Sequence, residues 1–384
     1  MKIDDKTSHN SPSLRFPEFN GEWVLNEMWN IAPLQRGFDL PSGNVLDGTI
    51  PVVYSNGILR YHNDYKCKAP AVITGRSGTI GKFTYLDKGY YWPHNTTLWV
   101  TDFCHNNPKF IYYLYQTINI SQFATGSGVP TLNRNDVHRH RCYLPKSIDE
   151  QRKIAAFLSL IDERIAIQVR LIDRLQSLMI GLNNSLYEQY GNDITTSFME
   201  LGYSYSGLSG KSAKDFGSGK PFITYLNVYS NIIVDETDYQ YVRINDGEKQ
   251  NIVRTGDVLF TLSSETPEEV GIGSVYLGEK EVYLNSFCFG IHIERNQLAY
   301  SPYLSYYVTS TAFRKFIYPF AQGSTRFNLC KADFEKASIK LPSLDNQKRI
   351  SAMLDCIAEK IQAEKAILEY YNIQRQYLLR QMFI

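Results

Sequence analysis

At 384 residues, with 43% hydrophobic and 21% charged residues and a formal net charge of +1, the chain has room for two or three domains with real cores, and apart from its 28 Tyr its composition is that of an ordinary globular protein. No apolar run approaches the roughly 18–20 residues that span a bilayer, and the polar, charged start from Met1 to Ser13 lacks a signal-peptide core, so a cytoplasmic location and no membrane partner are expected. The balance also excludes a strongly basic nucleic-acid footprint: residues 20–146 hold 12 Lys/Arg against 8 Asp/Glu, a net of +4, and residues 195–342 hold 14 against 16, a net of −2. Any DNA binding must run through local patches or share its phosphate contacts with a partner.

In chain order, residues 1–13 read as a disordered leader, polar and without periodicity. From Leu14 to residue 146 short apolar and aromatic runs alternate with Gly, Pro, Asn and Asp, which predicts strands joined by turns. Examples are Ile50–Tyr54, Ala71–Thr74, Lys82–Tyr85 and Thr97–Val100. Pro108 to Ile118 reads as a short amphipathic helix. Residues 147–192 then form a long helix. Steps of four and three from Ile154 give Ile154, Leu158, Ile161, Ile165, Gln168, Ile172, Leu175, Met179, Leu182 and Leu186, nine of ten apolar, the signature of a coiled-coil seam. A second β-rich region, 193–342, carries expected strands at Pro221–Tyr225, Asp257–Thr261 and Phe287–Ile293, and an expected helix at Tyr303–Ser310. Residues 343–384 repeat the rod, with Ile350, Leu354, Ile357, Ile361, Glu364, Leu368, Tyr371, Arg375, Leu378 and Met382 in its seam. Gln168 and Glu364 fall at the same register and are expected to help set it, as lone polar seam residues do.

The two halves match residue by residue. Gly126-Ser127 matches Gly323-Ser324, Leu132 matches Leu329, Asp136 matches Asp333 and Leu144-Pro145 matches Leu341-Pro342. After one gap Gln151 matches Gln347 and Ile154 matches Ile350. Upstream, Pro108 matches Pro302 and Asn95-Thr96 matches Asn285-Ser286.

Catalytic patterns are absent. Gly75-Arg76-Ser77-Gly78-Thr79-Ile80-Gly81-Lys82-Phe83 fails the phosphate-loop pattern, because Arg76 replaces the first Gly and Phe83 the metal-binding hydroxyl; it reads as a Gly-rich turn between strands. His138, His140 and Cys142 read as part of a basic surface strand and not as metal ligands. The six cysteines contain no CxxC pair, so reduced, mostly buried thiols are expected and no zinc site. No GxSxG, HExxH, GxGxxG or methyltransferase tetrad occurs. The residues point to a binding protein without catalytic residues. Its remaining candidates are two loops of small polar and basic residues, Thr125–Asn135 and Gln322–Lys331, suited to base edges and close phosphate approach. A duplicated coiled-coil adaptor that binds proteins or glycans through its Tyr-rich faces is the alternative.

In order, the opening Leu-Arg-Phe-Pro-Glu-Phe…Gly-Glu-Trp, the Gly-Ser-Gly-Val-Pro-x-Leu-Asn loop, the Leu-Pro, the Glu-Gln-Arg-Lys-Ile-Ala-x-Phe-Leu-x-x-Ile-Asp run at 150–162 and the Asn-Gln-Lys-Arg-Ile-Ser-Ala-Met-Leu run at 346–354 resemble the specificity subunit of type I restriction-modification systems. The resemblance covers Leu14 to Ile384. It implies an α+β protein with two β-rich target-recognition domains, 14–146 and 193–342, in a pseudo-twofold arrangement, separated by a long antiparallel two-helix coiled coil. It implies double-stranded DNA, read as a split asymmetric target, two methyltransferase subunits docked on the outer faces of the rods, and ATP-driven restriction subunits as partners. No cofactor is expected on this chain; S-adenosylmethionine, ATP and Mg²⁺ are expected on the partner subunits, where the target adenine is extruded. The second loop departs from the pattern, lacking counterparts of Gly128, Pro130 and Asn133.

For base and phosphate contacts the candidates in the first domain are Tyr54, Asn56, Arg76, Ser77, Lys82, Ser127, Thr131, Asn133 and Arg134. In the second they are Tyr225, Ser263, Ser264, Ser324, Arg326, Asn328 and Lys331. Arg and Asn suit bidentate base contacts, while Lys82 and Lys331 suit phosphates. A rod of about 38 residues at ~1.5 Å per residue is roughly 57 Å, about one and a half turns of DNA, and reads as a ruler for the gap between half-sites.

Overall fold

In the computed structural model, which describes residues 10–126 and 128–384, the two seams lie on unbroken helices at Ile148–Tyr190 and Leu344–Gln381. Every seam position is buried or half-buried, Gln168 and Glu364 included at 8% and 5% exposure. Such periodicity forms a helix because each apolar stripe gains by leaving water. The central helix starts where the Ser147 hydroxyl accepts the Glu150 N–H at 3.2 Å. It ends at Gly191, whose backbone packs so tightly on Tyr187 that a Cβ would meet the Tyr187 carbonyl oxygen at 2.4 Å.

The chain divides into two compact units, Met1–Val169 with Ala366–Ile384, and Arg170–Lys365. Each unit contains half of each long helix, running antiparallel. In the first unit Ile154, Leu158 and Ile161 share a core with Leu378, Leu379, Met382 and Phe383, and Arg375 donates to Asp162 at 2.6 Å. In the second, Ile350 and Leu354 belong to the core against which Met179, Leu182 and Leu186 pack.

The β-rich parts repeat the same plan, with one strand fewer in the second sheet of the second unit. In the first unit Val24–Glu27 pairs with Arg141–Leu144. A four-stranded sheet runs Leu34–Arg36, Thr97–Val100, Ala71–Gly75, Phe83–Leu86, and a second runs Gly57–His62, Ile50–Tyr54, Tyr90–Pro93, Cys67–Lys68. In the second unit Ile194–Ser197 pairs with Ser338–Leu341. Its sheets run Gly202–Ser206, Cys288–Ile293, Val258–Thr261, Gly273–Val275, and Tyr239–Val242, Phe216–Ile223, Tyr283–Leu284. The second sheet of each unit contains one parallel pair, Val53 with Pro93 and Ile223 with Leu284. The matching backbone bonds, His94 N–H to Val53 and Asn285 N–H to Ile223, align His94 with Asn285. Strand pairing thus shifts the sequence match of Asn95 with Asn285 by one residue.

The repeated glutamine has the same task twice. Gln151 accepts the Asn107 N–H at 2.8 Å and donates to the Pro145 carbonyl at 3.0 Å. Gln347 accepts the Tyr300 N–H at 2.8 Å and donates to the Pro342 carbonyl at 2.9 Å. Each buried amide ties a rod's first turn to the loop that launches a short helix, Pro108–Thr117 or Ser301–Tyr307. These bonds align Asn107 with Tyr300, again one residue from the match made on the prolines.

Several expectations are corrected. His138 and His140 do not lie in a surface strand: Arg134–Arg139 is a helix, and His138 is buried. Tyr225 does not end a strand but begins the helix Tyr225–Ser230, because the Thr224 hydroxyl accepts the Asn227 N–H and caps it. The helix expected to reach Ser310 stops at Tyr307, and Ser310 caps a further helix, Thr311–Ile317. All six cysteines are free, but three of them, Cys104, Cys330 and Cys356, are at least partly exposed. Of the leader expected over 1–13, residues 1–9 lie outside the described residues; from Asn10 the chain is held, since the Asn10 carbonyl accepts the Trp23 N–H at 2.7 Å. Among the described residues no helix is long and apolar enough to cross a membrane.

The opening motif is fastened to the first turn of the central helix. The Arg15 guanidinium grips both carboxylate oxygens of Glu150 at 2.7 and 2.9 Å, and the Trp23 indole donates to the same carboxylate at 3.2 Å. Glu150 is 2% exposed. Arg15→Ala strands that carboxylate in the core, and it should cost the first unit about 3–5 kcal/mol. The double change R15A/E150Q should recover part of this, as read by urea unfolding.

Candidate nucleic-acid interface

In the first unit the candidates gather where strands of both sheets end. The tight turn Ser55-Asn56 joins Ile50–Tyr54 to Gly57–His62, and Lys82 reaches across to donate to the Asn56 carbonyl at 2.6 Å. The Gly-rich turn 76–82 joins the antiparallel strands Ala71–Gly75 and Phe83–Leu86. Only glycine fits at 75, since a Cβ there would lie 1.8 Å from the Thr79 carbonyl oxygen. Arg76 is fixed through its backbone: its N–H donates to the Thr96 carbonyl and its own carbonyl accepts the Leu132 N–H, both at 2.7 Å. Its side chain is half-exposed. Ser77 bridges to Thr131, which brings the two loops together.

Thr131 belongs to the small hairpin Ala124–Thr125 with Thr131–Leu132. Ser127 lies outside the described residues. Asn133 uses its side-chain oxygen to accept the Asn135 N–H and cap the helix Arg134–Arg139, and both Asn133 and Arg134 are exposed. Tyr54 stacks on His94, ring centroids 4.3 Å apart. Burial pushes the pKa of His94 below the ordinary histidine value, so Tyr54 rests on a neutral ring.

The second unit builds the same cluster with different side chains. Ala321–Gln322 pairs with Phe327–Leu329 at the register of the first hairpin, and Leu329 donates to Leu262 as Leu132 does to Arg76. Despite its missing Gly, Pro and Asn, the second loop therefore closes the same way. Gly126 and Gly323 both take positive φ, +110° and +145°, and a Cβ at Gly323 would stand 2.1 Å from the Arg326 carbonyl oxygen. Ser263 pairs with Asn328 as Ser77 does with Thr131.

Tyr225, Ser263, Ser264 and Arg326 line one open groove of about 280 Å³ with Leu226, Tyr229, Glu265 and Glu269. Ser263 and Ser264 are buried at 6% and 8% exposure and form its floor. The Ser264 hydroxyl donates to Glu269, and Tyr225 donates to the Ser263 carbonyl, both at 2.9 Å. Ser324, Arg326 and Asn328 are exposed. Lys331 stands apart from them in the helix Lys331–Lys336, half-buried over the Phe289 ring at 5.0 Å and 3.6 Å from Glu335. A lysine neutralised by its own helix is poorly placed to meet a phosphate.

Sequence reasoning missed His94, Leu226, Tyr229, Glu265, Glu269 and Phe287, which only the pairing of distant strands brings to these loops. His94 and Phe287 had a signal, lying beside the repeated Asn95 and two residues past the repeated Asn285. Among the described residues no group of His, Cys, Asp or Glu could hold a metal ion.

The sequence profile described as the type I restriction modification DNA specificity domain matches residues 25–177 and again 208–370. The chain is 27% identical over 150 residues to the StySPI type I restriction enzyme specificity subunit of Salmonella potsdam, a match covering 39% of this chain and 32% of that one. It is 26% identical over 149 residues to the EcoKI specificity subunit of Escherichia coli strain K12, with the same coverage of 39% and 32%. The chain thus spans about a third of the length of these curated relatives. Among solved structures, the S subunit of a type I restriction-modification system from M. genitalium shares the fold with a TM-score of 0.58 at 16% identity, over 97% of this chain and 99% of that one.

His138 yields a pH dependence for the first unit. Its Nε2 accepts the Leu34 N–H at 2.8 Å, which requires a neutral ring, and burial lowers its pKa, as it does that of His94. The unfolded chain takes up these protons near pH 6.5, while the folded unit refuses them. Stability is therefore full above about pH 6.5 and is lost as the pH falls toward the depressed folded values. Thermal unfolding between about pH 7.5 and 5.5 should show that fall. His138→Gln, which keeps an acceptor and does not titrate, should reduce that fall and leave the part due to His94.

Proposed function

Because the chain belongs to the family of type I restriction-modification DNA specificity proteins, we propose that it is the non-catalytic, DNA-recognising subunit of such a complex, and that each unit reads one half of a split, asymmetric site in duplex DNA. The observation that carries this reading is the doubled loop cluster. The same backbone bonds hold Arg76, Ser77 and Thr131 in one unit and Leu262, Ser263 and Asn328 in the other. One scaffold with two sets of exposed side chains suits two half-sites of different sequence. Arg76, Asn133 and Arg134, and in the second unit Arg326 and Asn328, present the donors and acceptors that read base edges in a major groove. Lys82 contributes a phosphate contact.

Methyl transfer and DNA cleavage fall to partner subunits, which carry S-adenosylmethionine, ATP and Mg²⁺. Two methyltransferase subunits dock on the outer faces of the long helices and share the phosphate contacts, which suits a chain with net charge +1. The test is the map of methylated adenines in DNA from cells that hold this chain with its methyltransferase. A two-part motif with a fixed gap is expected, whereas a continuous palindrome would refute the reading.

The gap itself is assigned to the rods. The central helix has 43 residues, about 65 Å at ~1.5 Å per residue. Its register with the C-terminal helix is fixed by the buried seams. Inserting one helical turn in both helices should change the spacer length between the methylated half-motifs and leave the bases of each half unchanged. An unchanged spacer would remove the ruler role.

A further inference from the structure

The groove of the second unit holds a carboxylate where a DNA-facing surface should avoid one. Glu265 and Glu269 both line it, but they differ in what they are bonded to. Glu269 accepts from the Tyr229 hydroxyl and the Ser264 hydroxyl, each at 2.9 Å, and these bonds hold its pKa below the usual carboxylate value. Among the described residues Glu265 has neither a hydrogen-bond nor an ion-pair partner, and it is exposed. An unpaired acid near a phosphate backbone is repulsive unless a donor meets it.

The position of Arg326 supplies the other half of the argument. Ser263 pairs with Asn328 and Ser264 with Phe327; Glu265 and Arg326 are the residues that directly adjoin this paired segment, and both line the groove. They form no ion pair with each other. The Arg326 guanidinium lies over the exposed Phe287 ring, 5.9 Å from its centroid, which orients the fork without occupying its donors. An arginine fork and a free carboxylate side by side present donors next to an acceptor. In the major groove the complementary edge is a C·G pair: guanine N7 and O6 accept, and the neighbouring cytosine N4 amino group donates.

We propose that the second unit reads a C·G base pair, with Arg326 on guanine N7 and O6 and Glu265 accepting from cytosine N4. This rests on the proposed role of the chain in DNA recognition and adds the identity of one base pair in one half-site. It gives the net negative charge of this β-rich region a function, since an acidic reader rejects bases that offer only acceptors.

The test is the methylated-adenine map of cells carrying the intact chain with its methyltransferase, for the natural sequence and two variants. The natural protein should yield a two-part motif with a C·G pair in the half read by the second unit. Glu265→Gln should lose the preference for C·G at that one position and admit A·T, because glutamine pairs with adenine N6 and N7. Arg326→Lys keeps the charge but loses the fork, and should reduce discrimination at the same position by roughly tenfold or more. The other half-motif and the spacer should remain as they were in both variants. A two-part motif lacking C·G in the half whose bases the two variants alter would overturn the inference while leaving the proposed function intact. It is equally overturned if the two variants relax different positions, or if either changes methylation uniformly with no change of motif. No two-part motif at all would defeat the proposed function itself.

Discussion

Neither β-rich region completes its core alone. Small sheets of two to four strands offer too little apolar area to hold themselves together, and here one buried cluster of each region closes against a long helix. In the first unit Trp23, Phe110 and Tyr113 share one buried cluster with Ile154, Leu158 and Leu378. In the second, Phe198, Phe289 and Phe334 share theirs with Ile350 and Leu354. The seam that pairs the helices and the face that packs under the sheets belong to the same rods. Helix register and domain stability are therefore coupled, and a slip along the seam would break both cores.

Two small devices keep that coupling rigid. The buried glutamine at the start of each rod satisfies backbone groups on two neighbouring loops, so each helix cannot shift without leaving buried polar atoms unpaired. In the first unit the Arg15–Glu150 pair adds the N-terminal segment to the same anchor. The candidate loops then extend from a fixed base. Their backbone is shared between the halves while their exposed side chains differ, which lets the surface diverge without disturbing what lies beneath.

Much of this was legible in the chain. The four-three spacing marked both rods, because burial along a helix must repeat with the helix period. The glutamine, glycine and Leu-Pro matches marked the duplication, and Gly126 and Gly323 indeed share a backbone conformation open to few other residues. The candidate loops were legible as sequence segments, and Ser77 and Ser263 occupy equivalent bridges in the two units. Local patterns failed where a tertiary partner decided the outcome. His138 looked like a surface residue because nothing nearby in sequence announces that Leu34, 104 positions away, supplies its hydrogen bond. Lys331 looked like a loop cation because its helix and its place over Phe289 are set by strands elsewhere.

The sequence by itself determined the long helices, the internal repeat, the absence of catalytic motifs and the family resemblance. Each of these is written in local spacing or in recurring residues. Tertiary structure alone decided which side chains share a groove. The pairing of Ser263–Ser264 with Phe327–Leu329 brings Glu265 and Arg326 into one groove, and the turn after Tyr54 meets Lys82 through the cross-sheet bond to Asn56. Strand pairing between distant segments fixes such neighbours, and their separation along the chain leaves no periodic trace from which they could be read.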